Sequence, residues 1–253
     1  MIDTGAPFHW HSASGTHVGT VRKVNEDAYV DLPGIGPEVG LWAVADGMGG
    51  HEAGDFASRM IVEALRSVPP PTGRDALLDE VDVRLQSVNR RLRDYAATHA
   101  RGGVVGSTVA VLIGYRSEGI CLWAGDSRVY LLRGGLFRQL TQDHSQVEEL
   151  IKLGLLNRSE AASHPAGNVI TRAVGAMDDL IVDAIGHELA DGDIYLLCSD
   201  GLNKVLPDEE IALILERQDC RQAVQSLLQR ALDKGARDNV TAIVVHARRA
   251  DAG

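Results

Sequence analysis

The stretch LWAVADGMGG, residues 41–50, predicts a buried strand that ends in a turn. Residues 41–45 form an apolar run that is too short for a stable helix, so a strand is favoured. Asp46 follows this run, at the point where the strand is expected to leave the core. The glycines after it let the backbone turn and expose its polar groups. Two interpretations are open here: an ordinary Asp-Gly turn, or a carboxylate held rigidly as a ligand.

The composition is that of an ordinary globular protein. The 253 residues are 45% hydrophobic and 24% charged, and no apolar stretch approaches the roughly 18 residues of a membrane span. The first residues lack the basic, apolar and small-residue regions of a signal peptide. The three cysteines show no Cys-x-x-Cys spacing, which fits a reducing compartment. We expect a cytoplasmic monomer with no membrane partner, and one domain over residues 1–253 with its core at about 18–246.

The formal net charge is -10, which limits the classes of partner. Nucleic acid would be repelled, and no block of lysine and arginine offsets the repulsion, so a nucleic-acid partner is not expected. A metal-dependent nuclease is disfavoured for the same reason. The cysteines lie in apolar runs or lack a glycine-rich phosphate loop closed by arginine, which argues against a thiol phosphatase.

The order of strand and helix patterns predicts an α+β fold with largely antiparallel sheets covered by helices, because strands and helices do not alternate. Residues 1–17 are polar and are expected to be irregular. The polar stretch 141–180 is expected to be mainly loop, with one short helical pattern near Val147. Helices are predicted at about 51–67, 74–100, 207–216 and 220–234. Later strands are predicted at 104–113, 119–124, 129–132, 136–140, 181–185, 194–198 and 240–246.

Acidic residues recur at the boundaries of the predicted strands. Oxygen ligands without histidine or cysteine select magnesium, manganese or calcium over zinc. Taken singly, each acidic residue has a plainer interpretation as a turn former or helix cap. For Asp126 it is a hairpin turn with Arg128 as partner, for Glu26 and Asp27 a solvated charge pair, and for Asp238 an Asx turn. Their shared placement favours one common site. The residues are Asp46, Asp126, Asp200 and Asp238, with the pair Glu26 and Asp27 beside a strand start.

Six short motifs resemble those of the metal-dependent serine/threonine protein phosphatases of type 2C. They occur in the family's order and rough spacing over about residues 18–245, nearly the whole chain. The DGMGG form and the compact length are similar to the bacterial branch. The motifs are Arg22-x-x-Asn25-Glu26-Asp27, Ala45-Asp46-Gly47-Met48-Gly49-Gly50, Gly106-Ser107-Thr108, Ala124-Gly125-Asp126-Ser127-Arg128, Ser199-Asp200-Gly201 and Arg237-Asp238-Asn239-Val240-Thr241.

The resemblance implies two packed, mainly antiparallel sheets flanked by pairs of helices, an α-β-β-α sandwich with a metal site at one edge. Two Mg²⁺ or Mn²⁺ ions, and up to a third, would activate water and clamp phosphoryl oxygens. Asp46 would bridge two ions, with the Gly47 carbonyl as a further ligand. Asp200 and Asp238 would hold one of these ions, and Asp126 would help Asp200 to hold the third.

The resemblance also implies roles for residues that do not bind metal directly. Glu26 and Asp27 would bind the waters around the ions, and Asn239 would support the ligands beside it. Arg22 would grip the substrate phosphate, for which its planar fork suits two oxygens better than a lysine does. The plainer interpretation of Arg22 is a surface arginine paired with Glu26.

Two residues depart from the family pattern. Met48 stands where animal members have a histidine proposed as the acid for the leaving group, and His51 nearby is either a substitute or a helix-start residue. Lys204 stands four positions after Asp200, where many members have an acidic residue, which weakens the expected third metal site. The stretch 141–180 corresponds to the family's flap beside the catalytic centre, a mobile lid that tunes substrate choice.

These expectations predict an enzyme that hydrolyses phosphoserine and phosphothreonine in proteins by attack of metal-activated water, without a covalent intermediate. Its partners would be phosphorylated proteins and a cognate serine/threonine kinase whose action it reverses. Regulation of a secretion system is a further expectation. The alternative from another class is a catalytically silent scaffold of the same fold that binds phosphoproteins; the loss of a metal aspartate would favour it, and Asp46, Asp200 and Asp238 are all present.

Overall fold

Eleven strands and seven helices make up the part of the chain that this computed structural model describes, residues 7–49, 53–99, 103–161 and 164–250. The strands are β1 Phe8–His17, β2 Asp27–Gly36, β3 Val39–Met48, β4 Gly106–Ser107, β5 Val109–Tyr115, β6 Glu118–Ala124, β7 Arg128–Arg133, β8 Leu136–Gln139, β9 Asp183–Glu188, β10 Ile194–Cys198 and β11 Val240–Arg249. The helices are α1 Ala53–Arg66, α2 Arg74–His99, α3 Gln146–Lys152, α4 Arg158–Ala161, α5 Asp200–Asn203, α6 Asp208–Arg217 and α7 Cys220–Asp233.

The strands form two antiparallel sheets. One has the order β1-β11-β10-β7-β8, and the other has the order β2-β3-β5-β6-β9 with β4 added beside β3. The last strand of the chain, β11, lies between the first strand and β10. Each sheet is therefore complete only when segments from distant parts of the chain have met.

Alternating side chains on the central strands define the layers. On β3, Leu41 and Ala43 pack with residues of α1 and α2, whereas Trp42 and Val44 belong to the cluster between the two sheets. Strand β11 alternates in the same way between that central cluster and the cluster formed with α6 and α7. Because a strand covered on both faces must be apolar throughout, these segments appear in the sequence as continuous hydrophobic runs. The predicted α-β-β-α sandwich is confirmed.

The prediction that residues 1–17 are irregular is wrong for the described residues of that segment. Strand β1 pairs with β11 along its whole length, so the sandwich begins at Phe8 rather than at about Val18. The strand lies at a sheet edge, and its polar residues are mostly exposed or half-buried. Backbone pairing and a few apolar side chains such as Phe8 and Trp10 hold this strand, so its sequence gives little apolar signal.

Three further boundaries differ from the prediction. Strand β3 does not stop before Asp46 but continues to Met48, because Gly47 and Met48 pair with β4. Strand β11 runs to Arg249 instead of ending at about residue 246. The short helix α5, which begins at Asp200, was not predicted.

The single strand predicted at 104–113 is two strands, β4 and β5, and the other predicted helices and strands are present with shifts of a few residues at their ends. The short helical pattern in the polar stretch 141–180 is α3, and this stretch also contains α4. Gly50 and His51 lie outside the described residues, so the structure does not bear on His51 as an acid. Among the described helices, none combines the length and the apolarity that a membrane crossing requires.

The packing of β1 against the central cluster gives a stability prediction. A Cβ atom added at Gly114 on β5 would lie 2.1 Å from a ring carbon of Trp10, whose ring centroid is 5.2 Å from that of Trp42. We expect Gly114→Ala to lower the free energy of unfolding by about 1–3 kcal/mol, because the indole has to move within packed surroundings. Gly34→Ala is the control, since no atom lies within 4 Å of an added Cβ there. Urea unfolding of both variants measures the effect, and equal stabilities would show that β1 is loosely attached.

Candidate metal centre

Carboxylates from five places in the sequence meet at one edge of the sandwich. Asp27 on β2 and Asp46 on β3 are cross-strand partners. Asp126 lies in the turn between β6 and β7, Asp200 begins α5 directly after β10, and Asp238 lies two residues before β11. Charge repulsion from the other four raises the pKa of Asp46, which shows that the five groups act on one another.

Asp46 is fixed through its backbone. Its amide donates a hydrogen bond to Thr108 Oγ1 at 3.0 Å, and the Thr108 amide donates to the Asp46 carbonyl at 2.9 Å. Burial is the main cause that raises the pKa of Asp46 well above its usual range, and repulsion from Asp27 is the next. A carboxylate in this position either holds a proton or requires a cation beside it.

Asp27 is buried with one oxygen satisfied and one not. Its Oδ2 accepts hydrogen bonds from Ser199 Oγ at 2.7 Å and from Thr241 Oγ1 at 2.6 Å. Its Oδ1 is buried without a hydrogen-bond partner. Burial raises the pKa of Asp27 to about 7 even though the two hydroxyl groups lower it. Thr241 lies on β11 of the other sheet and Ser199 directly follows β10 of that sheet, so Asp27 joins the two sheets at this edge.

Asp126 has a similar environment. Asp126 is only 4% exposed, its Oδ1 has no hydrogen-bond partner, and burial raises its pKa to about 7. The turn that carries it needs a glycine, because Gly125 has φ +120° and an added Cβ would lie 2.6 Å from Thr108. The alternative of a hairpin turn with Arg128 as partner is wrong: the Arg128 guanidinium forms a two-pronged ion pair with Asp143.

Two of the acidic groups already have a cation from the chain itself. The Lys204 ammonium contacts the Asp200 carboxylate, and the Arg22 guanidinium pairs with Asp238 Oδ2 at 2.8 Å. Both side chains of the Arg22 pair are substantially exposed, at 51% and 44%. Asp238 Oδ1 also accepts a hydrogen bond from the amide of the next residue, Asn239, at 2.9 Å, whereas an Asx turn would use the amide two residues on. Arg22 is thus paired with Asp238, not with Glu26.

Asn239 organises the segment between β1 and β2. Its side chain is buried, with Oδ1 accepting from the Glu26 amide at 2.8 Å. Its Nδ2 donates to the carbonyl oxygens of Val18 at 2.9 Å and Val24 at 3.0 Å. These three bonds hold the loop that carries Arg22, and they place Asn239 where support for neighbouring ligands was predicted.

Gly47 lies where no other residue fits. Its amide donates to the Glu26 carbonyl at 3.1 Å, and a Cβ atom added there would lie 2.0 Å from the Gly54 carbonyl oxygen. An added Cβ at Gly54 would in turn lie 2.5 Å from Glu26 Oε1. The backbone of β3, the start of α1 and Glu26 are therefore in close contact next to Asp46.

The donor set fits hard divalent cations. Every group is an oxygen, two buried carboxylate oxygens lack partners, and the negative charges raise one another's pKa values. Within the described ranges, no three acidic, histidine or cysteine side chains already converge as a finished ligand set. Both oxygens of Asp238 are in use, so binding of a metal there requires this carboxylate to exchange partners, whereas Asp200 uses only Oδ2 for Lys204.

Several residues of this edge were not predicted as functional. Thr108, Ser199 and Thr241 position Asp46 and Asp27, and all three stand inside the quoted motifs, which is the signal that could have identified them. Asn168 accepts a hydrogen bond from the Lys204 ammonium at 2.7 Å, and nothing in its local sequence indicates this contact. A cleft opens beside the site, lined by Asp126, Asp200 and Lys204 and by residues of the polar stretch 141–180.

The polar stretch is attached firmly at its root. The His144 amide donates to the Gly125 carbonyl at 2.9 Å, and the Gly125 amide donates to His144 Nδ1 at 3.1 Å. Burial lowers the pKa of His144, although its Asp183 partner raises it. His164 Nδ1 accepts from the Ala166 amide at 3.2 Å, within the same stretch. Both histidines therefore hydrogen-bond to neighbouring residues of the turn and of the polar stretch.

Known proteins are similar to this chain in sequence and in fold. The family model described as Protein phosphatase 2C matches residues 12–150. "Serine/threonine phosphatase stp" of Listeria welshimeri is 34% identical over 242 residues, which cover 93% of this chain and 95% of that protein. PppA of Pseudomonas aeruginosa, described as a key regulatory component of T6SS, is 45% identical, with a TM-score of 0.86 over 94% of this chain and 98% of that chain.

A third similar structure holds metal. It is the catalytic domain of the serine/threonine protein phosphatase PstP in complex with two manganese ions, 31% identical, with a TM-score of 0.83 over 95% of this chain and 99% of that chain. Sequence, fold and an oxygen-only carboxylate cluster at the sheet edge agree. This chain belongs to the protein phosphatase 2C family, the metal-dependent serine/threonine phosphatases.

Proposed function

We propose that this phosphatase hydrolyses phosphoserine and phosphothreonine in proteins by direct attack of water at a centre of two divalent metal ions. One observation carries the proposal: five carboxylates meet at the sandwich edge around the half-buried Asp46, and two of them, Asp27 and Asp126, have a buried oxygen without a hydrogen-bond partner, an arrangement that cations would stabilise. When bound, two such ions lower the pKa of a water molecule and screen the phosphoryl oxygens. The presence of two manganese ions in the PstP structure supports the number, and the hard oxygen donors suit Mg²⁺ as well as Mn²⁺.

The ligand roles follow from how firmly each group is held. Asp46 would hold both ions, because hydrogen bonds with Thr108 fix its backbone and four other carboxylates repel its own. The Gly47 carbonyl would add a neutral ligand next to it. Asp200, through the oxygen that Lys204 does not use, and Asp238, by leaving Arg22, would complete one ion's ligands. Asp27 and Glu26 would hold water around the ions, because Asp27 already uses one oxygen for the two hydroxyl groups.

Arg22 would bind the substrate phosphate. Its guanidinium is half exposed and pairs with Asp238, so a bound metal and the substrate phosphate would each use a different member of this ion pair. With Asp238 engaged as a metal ligand, the planar fork of Arg22 would be free to donate to two phosphate oxygens. Met48 carries no titratable group, so the proton for the leaving alkoxide has to come from another source.

The wider biological assignments are also proposals. Phosphorylated proteins are the substrates of the family, and a serine/threonine kinase would supply them to a monomeric enzyme in the cytoplasm. All three cysteines are buried free thiols, which fits a reducing compartment. The 45% identity to PppA favours a role in regulating a secretion system. We regard the described sandwich as one catalytic domain, because the two sheets share a central apolar cluster. The silent scaffold is disfavoured, since the proposed metal aspartates are all present.

Metal-dependent turnover of phosphopeptides tests the proposed reaction. The purified protein should hydrolyse a phosphothreonine peptide with Mn²⁺, act far more slowly on the matching phosphotyrosine peptide, and stop on addition of EDTA. Asp46→Asn should lower kcat by about a hundredfold or more, because it weakens the hold on both ions. Asp94→Asn on the exposed face of α2 is the control and should retain full activity. Full activity of Asp46→Asn, with its fold intact, would refute the assignment.

Substitutions of Arg22 test the phosphate grip. Arg22→Ala should raise KM roughly tenfold or more, because a charge-assisted hydrogen bond contributes about 1.5–3 kcal/mol. Arg22→Lys should recover only part of the loss, since an ammonium cannot bind two oxygens in one plane. Steady-state kinetics on a phosphothreonine peptide gives both constants. A fall in kcat with unchanged KM in Arg22→Ala would contradict a role in substrate binding.

The raised pKa of Asp27 predicts a pH-dependent stability change in the metal-free protein. Its folded pKa of about 7 exceeds the unfolded value of about 3.9, so the stability that its bound proton contributes is lost as the pH rises towards and through 7. Asp27→Asn keeps a neutral side chain at every pH. Relative to the parent protein in EDTA, its advantage in stability should be larger at pH 8 than at pH 5.5 by roughly 2 kcal/mol, because the effect of the raised pKa is only partly expressed at pH 5.5.

Urea unfolding at the two pH values measures this difference, and contributions from the histidines cancel because both proteins contain them. Saturating Mn²⁺ should remove the advantage of Asp27→Asn at pH 8, since cations favour the deprotonated carboxylates. An advantage that is the same at both pH values would show that Asp27 is already ionised in the metal-free fold at pH 5.5.

A further inference from the structure

Lys204 brings a positive charge to the position that the family resemblance assigns to a third metal ion. It lies one turn after Asp200, at the C-terminal end of α5, and its side chain is 38% exposed. Its ammonium contacts the Asp200 carboxylate, lies 4.0 Å from Asp126 Oδ2 and donates to Asn168 Oδ1 at 2.7 Å. Three oxygen-bearing side chains from three separate segments thus surround a single lysine nitrogen.

These three partners are oxygen donors of the kind that a hard cation would use. Asp126 comes from the turn after β6, Asp200 from the start of α5, and Asn168 from the polar stretch that forms the flap. Asp126 Oδ1 is buried and has no hydrogen-bond partner. Without the ammonium, the same three side chains would therefore leave a small, negatively charged site open to the cleft.

We propose that Lys204 is a built-in cation that takes the third-metal position, limits the enzyme to two metal ions, and ties Asn168 of the flap to the catalytic edge. The inference rests on the two-metal centre of the proposed function. A divalent ion beside Asp126 and Asp200 would be repelled by the ammonium at close range, in a partly buried place where water screens little. An ammonium also never dissociates from the protein, so this charge does not depend on the supply of metal.

The link to the flap has its own consequence. Among the contacts that the described residues make, the bond from Lys204 to Asn168 joins the middle of the flap to the segment that carries Asp200. A substrate that enters the cleft would meet this bond, since the cleft is lined by Asn168, Asp200 and Lys204. Lys204 thus acts as a positioning residue that sets the distance between the flap and the metal centre.

Metal stoichiometry tests the proposal without reference to activity. The parent protein, Lys204→Met and Lys204→Arg are titrated with Mn²⁺, and free Mn²⁺ is measured by electron paramagnetic resonance. We expect two bound ions in the parent protein, two in Lys204→Arg, and a third, weaker one in Lys204→Met, which keeps the length of the side chain but lacks its charge. Adding Asp126→Ala to Lys204→Met should return the number to two and so assign the third ion to this position.

Other outcomes separate the two proposals. Three ions in the parent protein, or two in both the parent protein and a folded Lys204→Met, would overturn the role of Lys204 and leave the two-metal centre standing. No bound Mn²⁺ in the parent protein would overturn the metal centre itself, and the role of Lys204 with it. Thermal melting establishes that each variant is folded.

Hydrogen exchange tests the link to the flap. The Val169 amide, which donates to Ala166 within the flap, should exchange several-fold faster in Lys204→Met and in Asn168→Ala. Asn168→Ala should still bind two Mn²⁺ ions, because the ammonium remains in place. Unchanged exchange in both variants would overturn the tether.

Discussion

Repulsion among carboxylates at one edge of the sandwich is the constraint on which the rest of the site depends. Asp27, Asp46 and Asp126 have pKa values raised by burial and by one another or by Asp200, so the fold holds them together at a cost. The cost is tolerated because the backbone on either side is fixed by hydrogen bonds and by apolar layers on both faces of each sheet. The carboxylates of such a site are already in place before a cation binds. A rigid scaffold of this kind favours metal binding, because a bound cation offsets the repulsion between the carboxylates.

The chain's own cations balance part of this charge. Arg22 lies at the exposed rim on Asp238, and Lys204 lies deeper between Asp200 and Asp126. The two positions differ in what can displace them. An exposed ion pair contributes little stability and exchanges easily, as a residue that has to release its partner and bind substrate should. Lys204 contacts three side chains, Asp200, Asp126 and Asn168, which suits a permanent role.

The fold class and the central acidic residues could be predicted from sequence because each leaves a local signal. Apolar runs mark strands covered on both faces, and Asp46 and Asp200 stand where such runs stop. Strand β1 gave no such signal, since an edge strand held by backbone pairing tolerates polar side chains. The continuation of β3 past Asp46 depends on β4, a partner far along the chain. The contact between Lys204 and Asn168 also depends on tertiary folding, so spacing could raise doubt about a third metal but could not show what stands there.

The place of β11 in its sheet has a consequence for how the enzyme comes into being. This last strand lies between β1 and β10, and Asn239 just before it holds the loop that carries Arg22 and Glu26. A chain that stops before Asp238 therefore lacks both an interior strand of this sheet and one of the acidic groups. Pairing between segments so far apart in sequence is slow to form during folding. A truncated product of this kind would be inert rather than an unregulated phosphatase.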